Sequence, residues 1–343
     1  MRVAVVGATG AVGRRILSLL EERAFPLDDL MLFASSRSEG KRLTFRGDDL
    51  TVRALHGRWF ESVDLALTSA GSIVAKEILP AAAAAGTVSV DNSSAFRMDP
   101  AVPLVIPEIN PEALQYHSGI VANGNCTAIT ALMPLGPLHA RFGLVSLITS
   151  SYQSVSGSGM KGVRELSEQV EKLREQVESL TRPETDALPV GEVFGRTIAF
   201  NVLPHAERFD PEGTGFTTEE LKMGNEVRKV LGIPDLPVAA TAVRVPVVAG
   251  HAVSIHATFE RPVSPDAARE TLASAAGVRL VDDPERGLYP TPLDAAGIDD
   301  VLVGRIRQPR GEPNTLLLFA VGDNLRKGAA LNAVQIAELL ARG

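Results

Sequence analysis

The chain has 343 residues, more than the length at which a single hydrophobic core usually stops growing, so two domains are expected. Its net charge of -7 excludes the basic surface that nucleic-acid binding requires, and the longest apolar runs, such as 315–321, are too short to cross a bilayer. A single cysteine excludes an internal disulfide, and no charged-then-apolar leader precedes the first strand, which together predict a reducing, cytoplasmic location.

The chain begins with a short apolar segment, Arg2 to Val6, that predicts a buried strand. It leads into a glycine-rich turn, Gly7-Ala8-Thr9-Gly10-Ala11-Val12-Gly13, and then into a segment with helical periodicity that ends near Ala24. Glycines in such a turn allow the close backbone approach that a pyrophosphate needs at a helix N-terminus. Strand, turn and helix together predict dinucleotide binding, and the alternative is a purely structural turn.

The second predicted strand, Leu30 to Ala34, ends in Ser35-Ser36-Arg37-Ser38. NAD-binding folds usually place an acidic residue here to hold the ribose 2′-hydroxyl, whereas hydroxyls and an arginine suit a 2′-phosphate. NADP is therefore the expected cofactor. The alternative is that Arg37 is only a solvated loop cation.

The next segments continue an alternation of strands and helices. Segments 64–69 and 87–90 predict strands on either side of an alanine-rich helix at 73–85. This alternation is typical of a doubly wound parallel sheet, whose ligands lie outside the carboxyl ends of its strands. Arg97 follows in a polar loop where it could meet an anion, and four prolines within 100–111 predict an irregular surface segment.

The segment from Gly119 to Met133 contains the only cysteine of the chain. An apolar strand at 120–122 and a small polar turn precede Cys126, which opens a helical segment. A thiol at a helix N-terminus is expected to have a lowered pKa and to be reactive, so Cys126 is a candidate nucleophile. The alternative is a buried cysteine that acts as a small hydrophobic residue.

The second half of the chain has a different pattern. Segment 144–153 predicts a strand, followed by a flexible serine- and glycine-rich segment at 154–159. Apolar residues spaced three and four apart from Val163 to Leu180 predict a long amphipathic helix, and 181–195 predicts a loop. A further helix is expected at 216–231, capped by a threonine and with acidic residues in its first turn.

Two polar residues lie close to the end of one predicted strand and the start of the next. Segments 239–248 and 253–260 predict paired strands, which place Arg244 in the first strand and His251 at the break between them. Strands at 301–307 and 316–321 complete a mixed sheet, and a terminal helix at 328–341 could pack back on the first domain. The elements therefore predict an α/β fold with a doubly wound parallel, Rossmann-type dinucleotide-binding sheet and a second α+β domain of mixed sheet and helices.

Several motifs carry a resemblance that spans essentially the full length. They are VGATGAVG at Val6, SSRSEGK at Ser35, DNSSAFRMD at Asp91, VIPEIN at Val105, the Cys126 segment, SYQSVSG at Ser151, FNVLPH at Phe200, EELKM at Glu219, TAVRVPV at Thr241 and GDNLRKGAALNAVQIAE at Gly322. Together they resemble the aspartate-β-semialdehyde dehydrogenase family. The set is specific, because unrelated Rossmann enzymes would share only the first motif.

The resemblance implies an activity, a cofactor and an assembly. The activity is reversible NADPH-dependent reduction of 4-phospho-L-aspartate to aspartate 4-semialdehyde and phosphate, in the biosynthesis of lysine by way of diaminopimelate, threonine and methionine. The implied assembly is a homodimer, with no nucleic-acid or membrane partner. Residues 1–126, completed by 324–343, would bind NADP, and residues 127–323 would form the catalytic and dimerisation domain.

The resemblance also implies roles for particular residues. Cys126 would be the nucleophile, His251 the acid/base and Gln153 its helper. Arg97 and Lys222 would bind phosphate, Arg244 the α-carboxylate and Glu219 the α-ammonium, with Asn125 as a further substrate contact. The implied cofactor-binding residues are Gly7, Thr9, Gly10, Ala11, Val12, Gly13, Ser35, Ser36, Arg37, Ser38, Ser156, Gly157 and Asn324. No metal site is expected, because the six histidines form no local cluster with metal-ligand spacing.

The chain departs from the family pattern at a few positions near the proposed catalytic groups. They are Gly124, Thr127, Ala128, Thr130, Ala252 and Val253. None removes a catalytic atom, so we expect an effect on rate rather than on chemistry.

Two other functions are open at this point. A reductase of N-acetyl-glutamyl phosphate would use the same thioester route, but its substrate has no free ammonium to pair with Glu219. A non-catalytic paralogue of the same fold would be expected to have lost Cys126 or His251, and both are present.

Overall fold

The computed structural model of the chain describes residues 1–182, 184 and 188–342. The first sheet contains strands β1 (Arg2–Val6), β2 (Asp29–Ala34), β3 (Arg42–Phe45), β4 (Asp48–Ala54), β5 (Leu65–Thr68), β6 (Val88–Asp91), β7 (Leu104–Val105) and β8 (Ile120–Asn123). Their order is β3-β4-β2-β1-β5-β6-β8-β7, and every pairing is parallel except that of β3 with β4. The chain therefore winds outward in both directions from β1, which confirms the predicted doubly wound sheet.

The first turn of this sheet depends on two glycines. Helix α1 (Ala11–Glu22) follows β1, and Gly7 between them has a φ of 86°, which favours glycine. A Cβ at Gly13 would lie 2.2 Å from the carbonyl oxygen of Gly7, so only a glycine lets the helix pack this closely on the turn. The apolar face of α1 then covers the sheet, and helix α2 (Ser72–Ala84) packs its alanine-rich side on the opposite face.

The second sheet is mixed and has six strands. They are β9 (Leu144–Gln153), β10 (Val238–Arg244), β11 (His251–Phe259), β12 (Val278–Leu280), β13 (Val301–Arg307) and β14 (Thr315–Gly322), in the order β10-β9-β11-β14-β13-β12. The prediction that the strands around Arg244 and His251 pair with each other was wrong. Strand β9 lies between them, parallel to β10 and antiparallel to β11. The ends of β9 and β10 and the beginning of β11 therefore lie at the same edge of the sheet.

The remaining helices cover the second sheet and join it to the first. They are α3 (Cys126–Phe142), α4 (Gly159–Leu173), α5 (Thr218–Leu231), α6 (Pro265–Ala273), α7 (Pro292–Ala295) and α8 (Leu331–Arg342), with a π-helical turn (Arg326–Ala330) before α8. Cys126 opens α3 as predicted. Helix α8 shares a hydrophobic core with α1 and β1, so the C-terminus returns to the first sheet. None of the helices in the described ranges is long and apolar enough to cross a membrane.

Three predicted segments differ from the structure. Helix α4 ends at Leu173 rather than near Leu180. Leu173 is buried, whereas Val177, the next apolar residue of the predicted pattern, is exposed. The 154–159 segment, expected to be flexible, contains a short 3-10 turn (Val155–Ser158) in which Val155 and Ser156 are buried. The proline-rich segment, expected to be irregular and on the surface, contains the buried edge strand β7. The predicted loop at 181–195 lies partly outside the described residues.

Candidate active site

The predicted catalytic residues meet where α3 begins and where β9, β10 and β11 end or begin. A cavity of about 360 Å³ at this point is lined by Cys126, Gln153, Glu219, Arg244 and His251 among others, and we call it the Cys126 cavity. These residues come from five different elements, α3, β9, α5, β10 and β11. The second sheet brings them together, because Gln153 and Arg244 are register partners at the ends of adjacent parallel strands.

Cys126 is the first residue of α3 and is partly exposed in this cavity. Asn125 caps the helix, since its Oδ1 accepts hydrogen bonds from the backbone N–H groups of Thr127 (2.9 Å) and Ala128 (3.1 Å). Burial, and then the charge of Glu219, raise the pKa of the Cys126 thiol to about 11. The prediction of a lowered pKa is therefore wrong, and the thiol of Cys126 is protonated at neutral pH.

His251 is fully buried and is the first residue of β11. Its Nδ1 accepts a hydrogen bond from the backbone N–H of Ser154 at 3.1 Å, so the neutral ring carries its proton on Nε2. Within the described part of the chain, Nε2 has no hydrogen-bond partner. Burial, with the nearby charge of Arg244, lowers the pKa of His251 to about 3, so the imidazole is neutral at neutral pH and its Nε2 can donate into the cavity.

The carboxylate of Glu219 lies at the centre of the polar contacts in the Cys126 cavity. It accepts hydrogen bonds from Nδ2 of Asn125 (3.0 Å), Nε2 of Gln153 (3.1 Å) and Oγ1 of Thr127 (3.4 Å). The Nζ of Lys222, one helical turn away on α5, is 3.5 Å from it. Asn125 and Gln153 therefore orient an acidic group rather than projecting freely into the cavity.

Arg244 is the only one of the three predicted substrate-binding cations that lines the Cys126 cavity in the part of the chain that the structure describes. Its Nη1 donates to the carbonyl oxygen of Ser154 at 2.9 Å, and the side chain is buried. Burial lowers the pKa of Arg244, and Glu219 opposes this effect. An arginine remains charged under such a shift, so a cationic fork faces the cavity.

Arg97 and Lys222 lie in a neighbouring cavity of about 650 Å³, which we call the Arg97 cavity. Arg97 forms a buried ion pair with Glu226 at 2.9 Å, and its Nε and Nη2 donate to the carbonyl oxygens of Asn123 and Asn92. The prediction did not include Glu226. Lys222 donates to Glu207, which lines both cavities and was also missed.

The predicted dinucleotide site is a second cleft, of about 560 Å³, at the carboxyl ends of the first sheet. Gly7, Thr9, Gly10 and Ser35 line it, while Ala11, Val12 and Gly13 form the adjacent first turn of α1. The N-cap residue of α1 is Gly10, which has no side chain to cap the helix, so the backbone N–H groups of the first turn are available to a pyrophosphate, and the residues present fit a dinucleotide. The sequence did not indicate Trp59, the only tryptophan, which also lines this cleft.

The hydroxyl-rich turn after β2 lies beside the dinucleotide cleft. Ser36, Arg37 and Ser38 form a 3-10 turn in which Ser38 Oγ is 3.3 Å from Thr9 Oγ1 and 3.4 Å from the Nζ of Lys41. Arg37 is exposed. The end of β2 carries no acidic residue, in agreement with the sequence-based expectation.

The other three predicted cofactor residues lie next to His251 instead of in the dinucleotide cleft. Asn324 Oδ1 accepts hydrogen bonds from the backbone N–H of Gly250 (3.0 Å) and from the hydroxyl of Ser156 (3.2 Å). A Cβ at Gly157 would lie 3.2 Å from Nε2 of His251 and 2.9 Å from Nη1 of Arg244. Asn324 and Ser156 therefore hold the start of β11, and Gly157 leaves space for a ligand beside the imidazole.

One departure from the family pattern has a structural reason. A Cβ at Gly124 would lie 2.9 Å from Cγ1 of Ile129, so this chain fills with an isoleucine side chain the space that another residue at 124 would need. Thr130 donates its hydroxyl to the carbonyl oxygen of Cys126 at 2.9 Å. The start of α3 is thus supported by packing and a side-chain hydrogen bond.

Known proteins share both the sequence and the fold. The family model for the NAD binding domain of semialdehyde dehydrogenase matches residues 2–117, and the model for its dimerisation domain matches residues 135–327. The aspartate-semialdehyde dehydrogenase of Mycolicibacterium smegmatis is 50% identical to the chain, over 99% of the chain and 99% of its own length. The aspartate-semialdehyde dehydrogenase of Aquifex aeolicus is 47% identical, over 99% of the chain and 98% of its own length. The chain belongs to the aspartate-semialdehyde dehydrogenase family.

A solved structure of this family agrees over the whole molecule. Aspartate semialdehyde dehydrogenase II of Vibrio cholerae, complexed with ASA, superposes with a TM-score of 0.92 at 40% sequence identity, covering 99% of this chain and 98% of the other. Both the Rossmann-type sheet and the mixed sheet are therefore features of the family fold.

Proposed function

We propose that the chain catalyses the reversible NADPH-dependent reduction of 4-phospho-L-aspartate to L-aspartate 4-semialdehyde and phosphate. The proposal rests above all on one cavity that holds both the thiol of Cys126 and the free Nε2 donor of His251. Acyl-phosphate reduction needs a soft nucleophile that forms a thioester and a donor that stabilises the oxyanion. Membership of a family of aspartate-semialdehyde dehydrogenases supports the same reaction.

Two charged groups, Arg244 and Glu219, would orient the amino-acid part of the substrate. The planar guanidinium of Arg244 suits a bidentate contact with the α-carboxylate, and Glu219 suits the α-ammonium. Asn125 and Gln153 fix Glu219 through hydrogen bonds of 3.0 and 3.1 Å. An N-acylated substrate has no ammonium to pair with the buried Glu219 carboxylate, which would keep only its ionic contact with Lys222, so the N-acetyl-glutamyl phosphate alternative is not favoured.

Substrate binding would make the nucleophile more reactive. Burial, and then the charge of Glu219, raise the pKa of Cys126, and an ammonium bound at Glu219 would cancel the second of these effects. The Cys126 sulfur then attacks the acyl carbon, the carbon–oxygen bond to phosphate breaks, and a thioester forms while the thiol proton leaves with the phosphate as hydrogen phosphate. Lys222 and Arg97, in the neighbouring cavity, would receive the departing phosphate.

His251 would act on the carbonyl oxygen during each addition to the acyl group. Its Nδ1 is held by Ser154, so Nε2 carries a proton toward the cavity and can donate to the negative charge that develops on that oxygen. When bound, NADPH supplies the hydride that reduces the thioester. We propose that Nε2 of His251 holds the proton that faces the carbonyl oxygen, and that Gly157, which has no side chain, leaves the space beside Nε2 open.

We also propose NADP as the cofactor and a homodimer as the assembly. Ser36 and Arg37 follow β2 where an acidic residue would hold the 2′-hydroxyl of NAD, and this favours a 2′-phosphate. Residues 1–126 with 324–343 would bind the cofactor, and 127–323 would carry the catalytic groups and the subunit contact. The matching dimerisation-domain family supports the dimer.

An assay in the oxidative direction tests the proposal. The purified protein should reduce NADP in the presence of aspartate 4-semialdehyde and phosphate, more efficiently than it reduces NAD, and should not do so with the N-acetylated glutamate analogue. Cys126→Ala should abolish turnover, because the sulfur that forms the thioester is lost. Activity of the Cys126→Ala protein near that of the wild type would contradict the thioester route, and preference for the N-acetylated substrate would contradict the assigned substrate.

A further inference from the structure

Glu207 lies at the boundary between the Cys126 cavity and the Arg97 cavity and lines both of them. Its φ of 64° places a non-glycine residue in the left-handed region, which surrounding contacts must maintain. Such backbone conformations are concentrated at ligand-binding and switch positions. This position and conformation set Glu207 apart from the other acidic residues of the same segment, such as Glu212, although the Glu207 side chain is also partly exposed.

Two donors hold the carboxylate of Glu207 in place. Lys222 donates its ammonium to Oε1, and Thr218 donates its hydroxyl to Oε2 at 2.7 Å. Burial alone would raise the pKa of Glu207. The hydrogen bond from Lys222 and the charges of Lys222 and Arg97 outweigh burial, so the pKa of Glu207 is lowered. Glu207 is therefore ionised, and its charge also acts on Arg244.

The cations assigned to the phosphate group already have carboxylate partners. Arg97 pairs with Glu226, and the Nζ of Lys222 lies between Glu207 and Glu219. A substrate ammonium would take Glu219, but Lys222 would still be neutralised by Glu207. A phosphate group gains the full charge of Lys222 only when Glu207 turns away, and the Glu207 side chain, which is 42% exposed, can turn into solvent.

We propose that Glu207 is an internal anion that occupies the phosphate-binding position at Lys222 and competes with phosphate for it. Glu207 is then a positioning residue that acts through Lys222 and takes part in no covalent step. Phosphate must displace it in the oxidative direction, and its return to Lys222 promotes phosphate release in the reductive direction. The inference rests on the proposed function, because it assumes that Lys222 binds phosphate.

The first test is the phosphate KM of Glu207→Gln in the oxidative assay. Removing the charge should lower the phosphate KM about three- to tenfold, because a larger fraction of the protein then has a free Lys222. The KM for aspartate 4-semialdehyde should change much less. Glu212→Gln makes the same change of charge on an exposed residue of the same segment and should alter neither constant. An unchanged or raised phosphate KM in Glu207→Gln would overturn the proposal.

A second measurement does not depend on turnover. The rise of Tm with inorganic phosphate should reach half its maximum at a lower phosphate concentration in Glu207→Gln than in the wild type. Glu207→Asp, whose shorter carboxylate makes a weaker contact with Lys222, should lie between the two and serves if Glu207→Gln does not fold. Equal phosphate dependence in all three proteins refutes the competition, whereas absence of phosphate-dependent NADP reduction in the wild type refutes the proposed function itself.

Discussion

At the scale of single residues, burial of the Cys126 thiol has the largest effect on its pKa, and the charge of Glu219 is the next largest cause. A helix N-terminus contributes about 0.3–1 kcal/mol, which is less than the 1.4 kcal/mol that corresponds to one pKa unit. Burial can shift a pKa by several units, and it acts here together with Glu219 to raise the Cys126 pKa from 9.0 to about 11. The sequence indicated only the favourable term, because the carboxylate comes from a helix 93 positions away in the chain (219 minus 126).

Thiol alkylation tests this electrostatic control. Because Cys126 is the only cysteine, the rate of iodoacetamide modification reports on a single group, and only the thiolate reacts. In the wild type the rate should keep rising with pH toward the pKa of about 11. Glu219→Gln should move this profile to lower pH and increase the rate at pH 8, because the neighbouring charge is removed. Cys126→Ala gives the blank, and identical profiles for Glu219→Gln and the wild type would show that Glu219 does not control the thiol.

At the scale of elements, the first turn of α3 combines a helix cap with the active site. Asn125 uses Oδ1 to cap the helix and Nδ2 to hold Glu219, and its backbone N–H donates to the buried carboxylate of Glu226 at 2.6 Å. Glu226 in turn binds Arg97. The turn that carries the nucleophile is therefore fixed from both the α5 side and the Arg97 loop.

Truncation of the cap should separate stability from activity. Asn125→Ala removes a cap and a hydrogen bond to a charged group, so we expect Tm to fall by about 2–6 °C and kcat/KM to fall at least tenfold. Ser264→Ala provides the matched control, since Ser264 caps α6 by accepting from the N–H of Ala267 at 3.1 Å. Ser264→Ala should lower Tm by a similar amount without changing kcat/KM, provided that both variants are assayed well below their Tm. Equal kinetic losses in the two variants would indicate a global rather than a local effect.

The elements themselves were largely predictable, but their partners were not. Strand Leu144–Gln153 and the start of α3 at Cys126 agree with the sequence patterns, because periodicity and turn residues are local signals. The position of β9 between β10 and β11 depends on pairing across about a hundred residues, which periodicity does not encode. The same limit explains why Glu226 and Glu207 were missed, since an acidic residue on a helix or loop normally indicates a solvated surface.

At the scale of the whole molecule, the C-terminal segment connects both sheets to the active site. Asn324 binds Gly250 and Ser156, and a Cβ at Gly328 would lie only 2.9 Å from the Cβ of Cys126. Helix α8 then returns to the first domain, where Glu338 accepts a two-pronged ion pair from Arg23. Movement of one sheet relative to the other would therefore be transmitted directly to the nucleophile.

The outer face of the second sheet, at β9 and β14, is the surface that the proposed homodimer would cover. One face of this sheet packs on α3, whereas on the other face Ile148 is 53% exposed and Tyr152, which contacts the ring of Phe319, is 39% exposed. Apolar side chains clustered on an open sheet face are typical of a protein–protein contact. Residues on β9 that face solvent in the single chain would then be buried between the two subunits.

A charged substitution on this face should disrupt the dimer. In sedimentation equilibrium the wild type should have twice the 36.3 kDa chain mass, and Ile148→Glu should shift it toward the monomer, because a buried unpaired carboxylate costs several kcal/mol. Ile73→Glu is the matched control: Ile73 is 86% exposed on α2, which packs on the first sheet, and its substitution should leave the mass unchanged. A dimer that persists in Ile148→Glu at micromolar concentration would exclude this face as the subunit contact, and a dimer lost in Ile73→Glu would place the contact at α2 instead.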